Sequence, residues 1–270
     1  MLSIRTEERA PFWLLFIELF FLAVGVILTQ TAAFALFLAT FGGGAIPYAD
    51  IGIAVVAAAI SIVNLQVAGR VSLPRLVTVD VAFMMLGTLA LWLGLTAASP
   101  AWLIFILPAW FQSSINLTFF VIYTLAGRIF DVRQAKRLFG LLGAGYLVAY
   151  PIAGFAVPVI VSRVGTANLL ALATVGFAIA LALQFYVLRR YHTHFQTRSV
   201  GPQTAAETPP PILRNRYVML IVAIIVVSWV GFFVVDNIFY ALAALRYPNA
   251  DELAAFLGLF ASVVGIVSLI

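Results

Sequence analysis

The chain contains no cysteine among its 270 residues, so a disulfide framework, a thiolate metal site and a cysteine nucleophile are all excluded. Charge is scarce too: Asp, Glu, Lys and Arg make up 9% of residues, against about 25% in soluble domains. Histidine occurs twice, at His192 and His194, in a polar stretch without an acidic or thiol ligand beside it, which reads as a solvated segment. No Gly-rich Lys-Ser/Thr phosphate loop occurs and no catalytic constellation is visible, so neither an ATP-driven pump domain nor an enzyme is expected, and no cofactor or metal is expected either. What the chain has in place of charge is hydrocarbon: 64% of residues are hydrophobic and the mean hydropathy is +1.12. A soluble enzyme, a nucleic-acid-binding module and a disordered region are thereby ruled out. The apolar runs are continuous rather than alternating, which excludes an outer-membrane barrel and leaves an all-α membrane protein. The net charge of +5 is spread between the runs and forms no patch for nucleic acid.

Runs bounded by charge, Gly or Pro define seven full spans and part of an eighth: residues 11–40, 46–68, 76–95, 101–127, 138–161, 167–188, 217–245 and 253–270. Each full span reaches the roughly 20 residues that cross a bilayer core of about 30 Å. The first is longer than a straight crossing needs and is expected to tilt, bend or project. It is also too long for a cleaved signal peptide. With the N-terminus placed in the cytoplasm, thirteen basic residues fall on the inner side, and only Arg163 and Arg246 on the outer, which accounts for all 15. This asymmetry predicts an N-in, multi-pass protein of a bacterial inner membrane. Residues 189–216 form the one long polar stretch and include Gly201-Pro202 and Pro209-Pro210-Pro211, which predict an extended linker. The expected organisation is a six-helix unit over 1–188, a cytoplasmic linker over 189–216, and the start of a second unit over 217–270. The run from Leu253 is still apolar at Ile270, which predicts a longer protein, with room for a regulatory domain beyond it.

Ionisable residues inside spans are costly and mark function by default. Three stand out: Glu18 in the first span, Asp80 near the inner end of the third, and Asp236 in the outer part of the seventh. Asp50 lies near a boundary and reads as interfacial. In the fourth span Gln112, Asn116 and Tyr123 recur at spacings of four and seven, along one helix face, and Asn237 follows Asp236. Interhelical hydrogen bonding without a ligand would explain the amides equally well. Rows of small residues, Gly145/Ala149/Ala153 in the fifth span and Gly258/Ser262 and Ala261/Gly265 in the eighth, predict close helix contacts.

The inner connections repeat a phrase. Ala68-Gly69-Arg70-Val71 leads to Arg75, and Ala126-Gly127-Arg128-Ile129 leads to Arg133, each reading as a helix that ends at glycine with arginines at its carbonyl end. Arg70, Arg75, Arg128, Arg133, Lys136 and Arg137, with Asp80 and Asp131 among them, form a candidate cytoplasmic gate. Asp80 and Asp131 are expected within ion-pair reach of these cations when the inner side is closed.

The stretch Phe130-Asp131-Val132-Arg133-Gln134-Ala135-Lys136-Arg137-Leu138-Phe139-Gly140, continuing to Gly145, resembles the fourth inner loop and fifth helix of the ATP/ADP-translocase-like nucleotide transporter family. Val235-Asp236-Asn237-Ile238-Phe239-Tyr240 and Asp251-Glu252-Leu253-Ala254-Ala255-Phe256-Leu257-Gly258 resemble that family's seventh helix and the start of its eighth. The turn with Gly42-Gly43-Gly44 and Pro47 is also similar. The family is a branch of the major facilitator superfamily, so the resemblance implies the twelve-helix facilitator bundle, here its first six-helix half plus the start of the second. In that fold the first, fourth and seventh helices line a central cavity. Nucleotide-carrying members have a basic motif where this chain reads Leu28-Thr29-Gln30-Thr31-Ala32-Ala33-Phe34, and no Lys or Arg lies deep in any full span. A polyanion beside carboxylates would be repelled.

The sequence therefore predicts a secondary active transporter working by alternating access on a small solute. Glu18 or Asp236 would couple it to protons or cations, while Gln112, Asn116, Tyr123 and Asn237 orient a neutral or cationic substrate. A transporter-fold sensor or scaffold without transport is the alternative, and ATP/ADP exchange is a third. The expected partners are the lipid bilayer, the solute and its coupling ion, with no nucleic acid.

Overall fold

The computed structural model describes residues 5–68, 70–196 and 216–269. Among the described residues nine α-helices follow in order: α1 (Thr6–Phe41), α2 (Ile46–Ala68), α3 (Leu73–Ala97), α4 (Ala101–Ile129), α5 (Val132–Val164), α6 (Leu169–Arg190), a short α7 (His192–Gln196), α8 (Arg216–Arg246) and α9 (Ala250–Leu269). Single 3-10 turns join α1 to α2 and α5 to α6, and there is no strand among the described residues. Eight of the helices are long and apolar enough to cross a membrane. Their outward faces carry bulky apolar side chains such as Val55, Ile62, Phe83, Leu86, Leu93 and Val175. Exteriors of this kind suit lipid and not water, so the chain is an integral, multi-pass membrane protein.

The helix ends follow from local chemistry. Gly42 and Gly165, at φ +72° and +81°, terminate α1 and α5 in the left-handed region that favours glycine. Their N–H groups each donate at 2.9 Å to the carbonyls of Leu38 and Val161. At the start of α5, Asp131 Oδ1 accepts from the Gln134 N–H at 2.7 Å and Gln134 Oε1 accepts from the Asp131 N–H at 2.9 Å. This reciprocal cap starts the helix six residues before the apolar run at Leu138. Arg133, Lys136 and Arg137 consequently sit on the first turns of α5 and not in a loop. Likewise α4 runs through Gly127 to Ile129, so that glycine does not end the helix as its sequence suggested. Gly69 and most of the linker lie outside the described residues, and α6 extends into the linker as far as Arg190.

α1 is the hub, packed on α4, α5, α6 and α9. Gly145 of α5 faces the Phe16 carbonyl of α1, and Gly176 of α6 faces Phe21 and Gly25. Near the other end of the bundle, α3 joins α6 through Trp92 Nε1, which donates to Asn168 Oδ1 at 3.0 Å. It joins α4 through Trp110 Nε1, which donates to Thr88 Oγ1 at 2.9 Å while the indole covers Gly87. α9 lies antiparallel against α5. Gly154 is opposite Gly258 and Ser262, Gly265 is opposite Tyr150 and Pro151, and no Cβ fits at either glycine of the Gly154–Gly258 crossing without displacing the partner. The small-residue row of the eighth span thus finds its partner on α5, but at Gly154. Gly145, Ala149 and Ala153 face inward beside it; the first of them meets α1.

Candidate functional site

Gln30 and Phe34 on α1, Asp50 on α2, Gln112 and Asn116 on α4 and Tyr150 on α5 form one wall of a cavity of about 630 Å³. Trp229, Phe232, Asp236 and Tyr240 on α8 form the other. A second cavity of about 460 Å³ shares Gln30, Asp236 and Tyr240 and continues to Leu257 and Phe260 of α9. A third, of about 300 Å³, shares Asn116 and runs between α2 and α4 past Ser61 and Asn64. Among the described residues, no Lys, Arg or His lines any of the three. Apolar atoms supply most of the main cavity's surface, Gln30, Gln112 and Asn116 add amides, and Asp50 and Asp236 supply the acid.

One end of this space is held shut. Phe34 stacks on Tyr240 with ring centres 4.3 Å apart and 5° between planes. Asn237 Nδ2 donates to Asp50 Oδ2 at 3.0 Å and to its own Phe233 carbonyl at 2.9 Å. Gly43 lies so close to Ala241 that an added Cβ would come within 2.8 Å of the alanine methyl. Beyond these, Asp251 on the first turn of α9 accepts from the Thr166 N–H at 2.8 Å and from its hydroxyl at 2.6 Å. Thr166, in the α5–α6 turn, is buried. These contacts tie α8 and α9 to the first six helices at the end away from the arginine-rich connections. Toward the basic end α8 leaves the bundle: from Arg216 to Val235 every residue except Val218 is exposed.

The residues singled out in the sequence divide accordingly. Gln112, Asn116 and Asp236 line the cavity together, and Asn237 holds Asp50 at its rim. Tyr123 does not; its ring packs with Phe119 and Phe139 nearer the basic end. Glu18 does not either: it is wholly buried where α1 packs, with neither carboxyl oxygen hydrogen-bonded among the described residues. Gln184 on α6 is buried in the same way, its amide unpartnered among the described residues. Asp50, read as interfacial, and Gln30, read only as a non-basic position, both belong to the site. Asp50 was hidden by its position at a helix start; Gln30 had no polar neighbour at helical spacing to mark its face.

Asp131 is spent on capping α5, and Asp80 is buried on α3, with one carboxyl oxygen lacking a hydrogen-bond partner among the described residues. The acid that meets the cluster is Glu8, 2% exposed, which forms an ion pair with Arg137 and so joins α1 to α5. Arg70, Arg75, Arg133 and Lys136 are exposed. Arg128 and Asp131 border a surface pocket with Glu7 and Glu8. No group of three or more His, Asp or Glu that could hold a metal occurs among the described residues.

No family profile, curated protein or solved structure matches the chain.

Proposed function

We propose that the chain is the membrane part of a secondary transporter of facilitator type, moving a small solute through the cavity by alternating access, with the basic end in the cytoplasm. The observation that carries this reading is the asymmetry of the cavity. It is sealed at one end by contacts between two helix groups and bordered at the other by a diverging helix. Two groups that meet from one end to mid-bundle, through α9 on α5, and diverge at the other end through α8 are what a rocking-bundle transporter presents in one of its two states. The excess of thirteen basic residues over two supports assigning the open end to the cytoplasm. Asp236 is the coupling carboxylate in this reading, since it lines the cavity while Glu18 is packed away from it. Gln112 and Asn116 orient the solute. The conformation is inward-open, so the expected pairing of Asp80 and Asp131 with the arginines belongs to the opposite state. A nucleotide cargo is disfavoured because no cation among the described residues lines the site to replace the hydration of phosphate.

The native absence of cysteine makes a direct test simple. Gln112→Cys in the full chain, in sealed vesicles of known orientation, is expected to react with a membrane-impermeant maleimide from either side. Reaction from the cytoplasmic side alone would overturn alternating access and leave a transporter-shaped sensor or scaffold. Labelled ATP taken up faster than by empty vesicles would restore nucleotide exchange.

A further inference from the structure

The cavity's lining has a chemical signature narrower than "small solute". Two carboxyl groups, Asp50 and Asp236, face one space at the sealed end, on helices joined by the Asn237–Asp50 hydrogen bond. The partner that Asp50 receives is a neutral amide, and among the described residues no Lys, Arg or His lines the main cavity or the two that adjoin it. Charge of one sign in a low-dielectric setting is costly unless a counter-charge arrives. Around the acids stand aromatic side chains: Phe34 and Tyr240, stacked on each other, and Trp229 and Phe232 from α8. Ring faces attract cations through their quadrupole, tryptophan most strongly, and they favour weakly hydrated cations with apolar bodies over small inorganic ones. The volume, about 630 Å³, falls within the roughly 300–1,000 Å³ that hold a molecule of drug size.

We propose that this cavity binds an organic monocation, a substituted ammonium carrying an aryl or bulky alkyl group, with the charge between Asp236 and Asp50 and the apolar body against Trp229, Phe232 and the Phe34–Tyr240 pair. The proposal rests on the same cavity as the transporter reading and deepens it. Gln30, Gln112 and Asn116 then receive any hydrogen-bonding substituent. An anionic solute finds no partner here, and a neutral one leaves both acids uncompensated.

The test uses radiolabelled benzyltrimethylammonium with the purified full chain in detergent. Competitors are its uncharged carbon isostere neopentylbenzene, benzoate, and sodium chloride. Saturable binding is expected, with each competitor at least tenfold weaker than unlabelled cation. Asp236→Asn should weaken binding at least tenfold, Asp236→Glu should largely preserve it, and Trp229→Leu should weaken it several-fold. The proposal is overturned by absence of saturable binding, by equal competition from the isostere, benzoate or sodium, or by unaltered affinity in Asp236→Asn. If Asp236→Asn does not elute as a folded protein, the competitor ranking on the unsubstituted chain decides. Binding together with one-sided labelling of Gln112→Cys would keep the cation site and sink transport; two-sided labelling without cation binding would do the reverse.

Discussion

Glu8 and Arg137 show how much one residue can depend on another in this chain. Glu8 is almost completely buried at the start of α1, and Arg137 supplies its charge partner from α5. Removing one partner of a buried pair leaves an uncompensated charge, which typically costs about 3–5 kcal/mol, whereas removing both can be nearly neutral. Arg137→Gln is therefore expected to lower the thermal midpoint of the purified protein, and the double variant Glu8→Gln/Arg137→Gln to recover most of the loss. Equal losses in the two would show that the pair carries no such dependence. The close crossing of α5 on α9 makes a second residue-level prediction. Gly258 is so near the Gly154 carbonyl and Val157 that an added Cβ would stand 2.9 Å and 2.6 Å from them. Gly258→Leu should destabilise by about 1–3 kcal/mol through overpacking. Gly231→Ala, with nothing within 4 Å of the new methyl, should leave the midpoint unchanged or slightly raised. Both are read by thermal unfolding in the same detergent.

At the scale of helices, the contact between the α5–α6 turn and the start of α9 is the part of the seal most open to dissection. Asp251 takes two hydrogen bonds from Thr166, and bonds to a charged acceptor contribute about 1.5–3 kcal/mol each. A bias of this size is enough to shift a two-state equilibrium whose states differ by a few kcal/mol. Asp251→Ala is expected to raise the labelling rate of Gln112→Cys from the outer side several-fold, with unchanged elution on gel filtration. No change in that rate would mean that the stacked Phe34–Tyr240 pair and the Gly43–Ala241 contact hold the seal alone. The inner charge cluster has a different job in this conformation. Asp131→Asn retains a capping side chain, so it should leave both stability and labelling close to the parent.

For the whole molecule, orientation is the prediction with the widest consequence. Arg133 lies at the basic end and Arg163 near the C-terminus of α5 at the other. Cysteines placed at these two positions should respond oppositely to an impermeant reagent on intact cells: Arg163→Cys reacts at once, Arg133→Cys only after permeabilisation. The reverse pattern would invert the topology and overturn the proposed inward-open reading. Seven of the long helices and part of the eighth were legible in the amino-acid sequence because lipid demands runs of about 20 apolar residues, and charge or Gly/Pro breaks punctuate them; α9, at 20 residues, is long enough to cross where only part of a span was expected. Their ends were less legible, since the cap at Asp131 and the continuation of α4 through Gly127 depend on side-chain hydrogen bonds that hydropathy does not register.

Composition and periodicity alone determined that this protein crosses a membrane repeatedly, that its basic residues gather at one end, and that Gln112, Asn116 and Asp236 deserve notice. These follow from the cost of polar groups in hydrocarbon, which every residue incurs independently of its distant neighbours. Tertiary structure decided which of the costly groups share a space. Glu18 and Asp236 look alike along the chain, yet one is enclosed where α1 packs and the other lines a cavity with Asp50, a residue 186 positions away. That pairing depends on α8 reaching α2 at Asn237, and the sealed end depends on Asp251 reaching Thr166 across 85 residues of chain. A one-dimensional pattern records the price of each polar residue but not the partner that offsets it, and the partner is what turns a buried carboxyl group into a site.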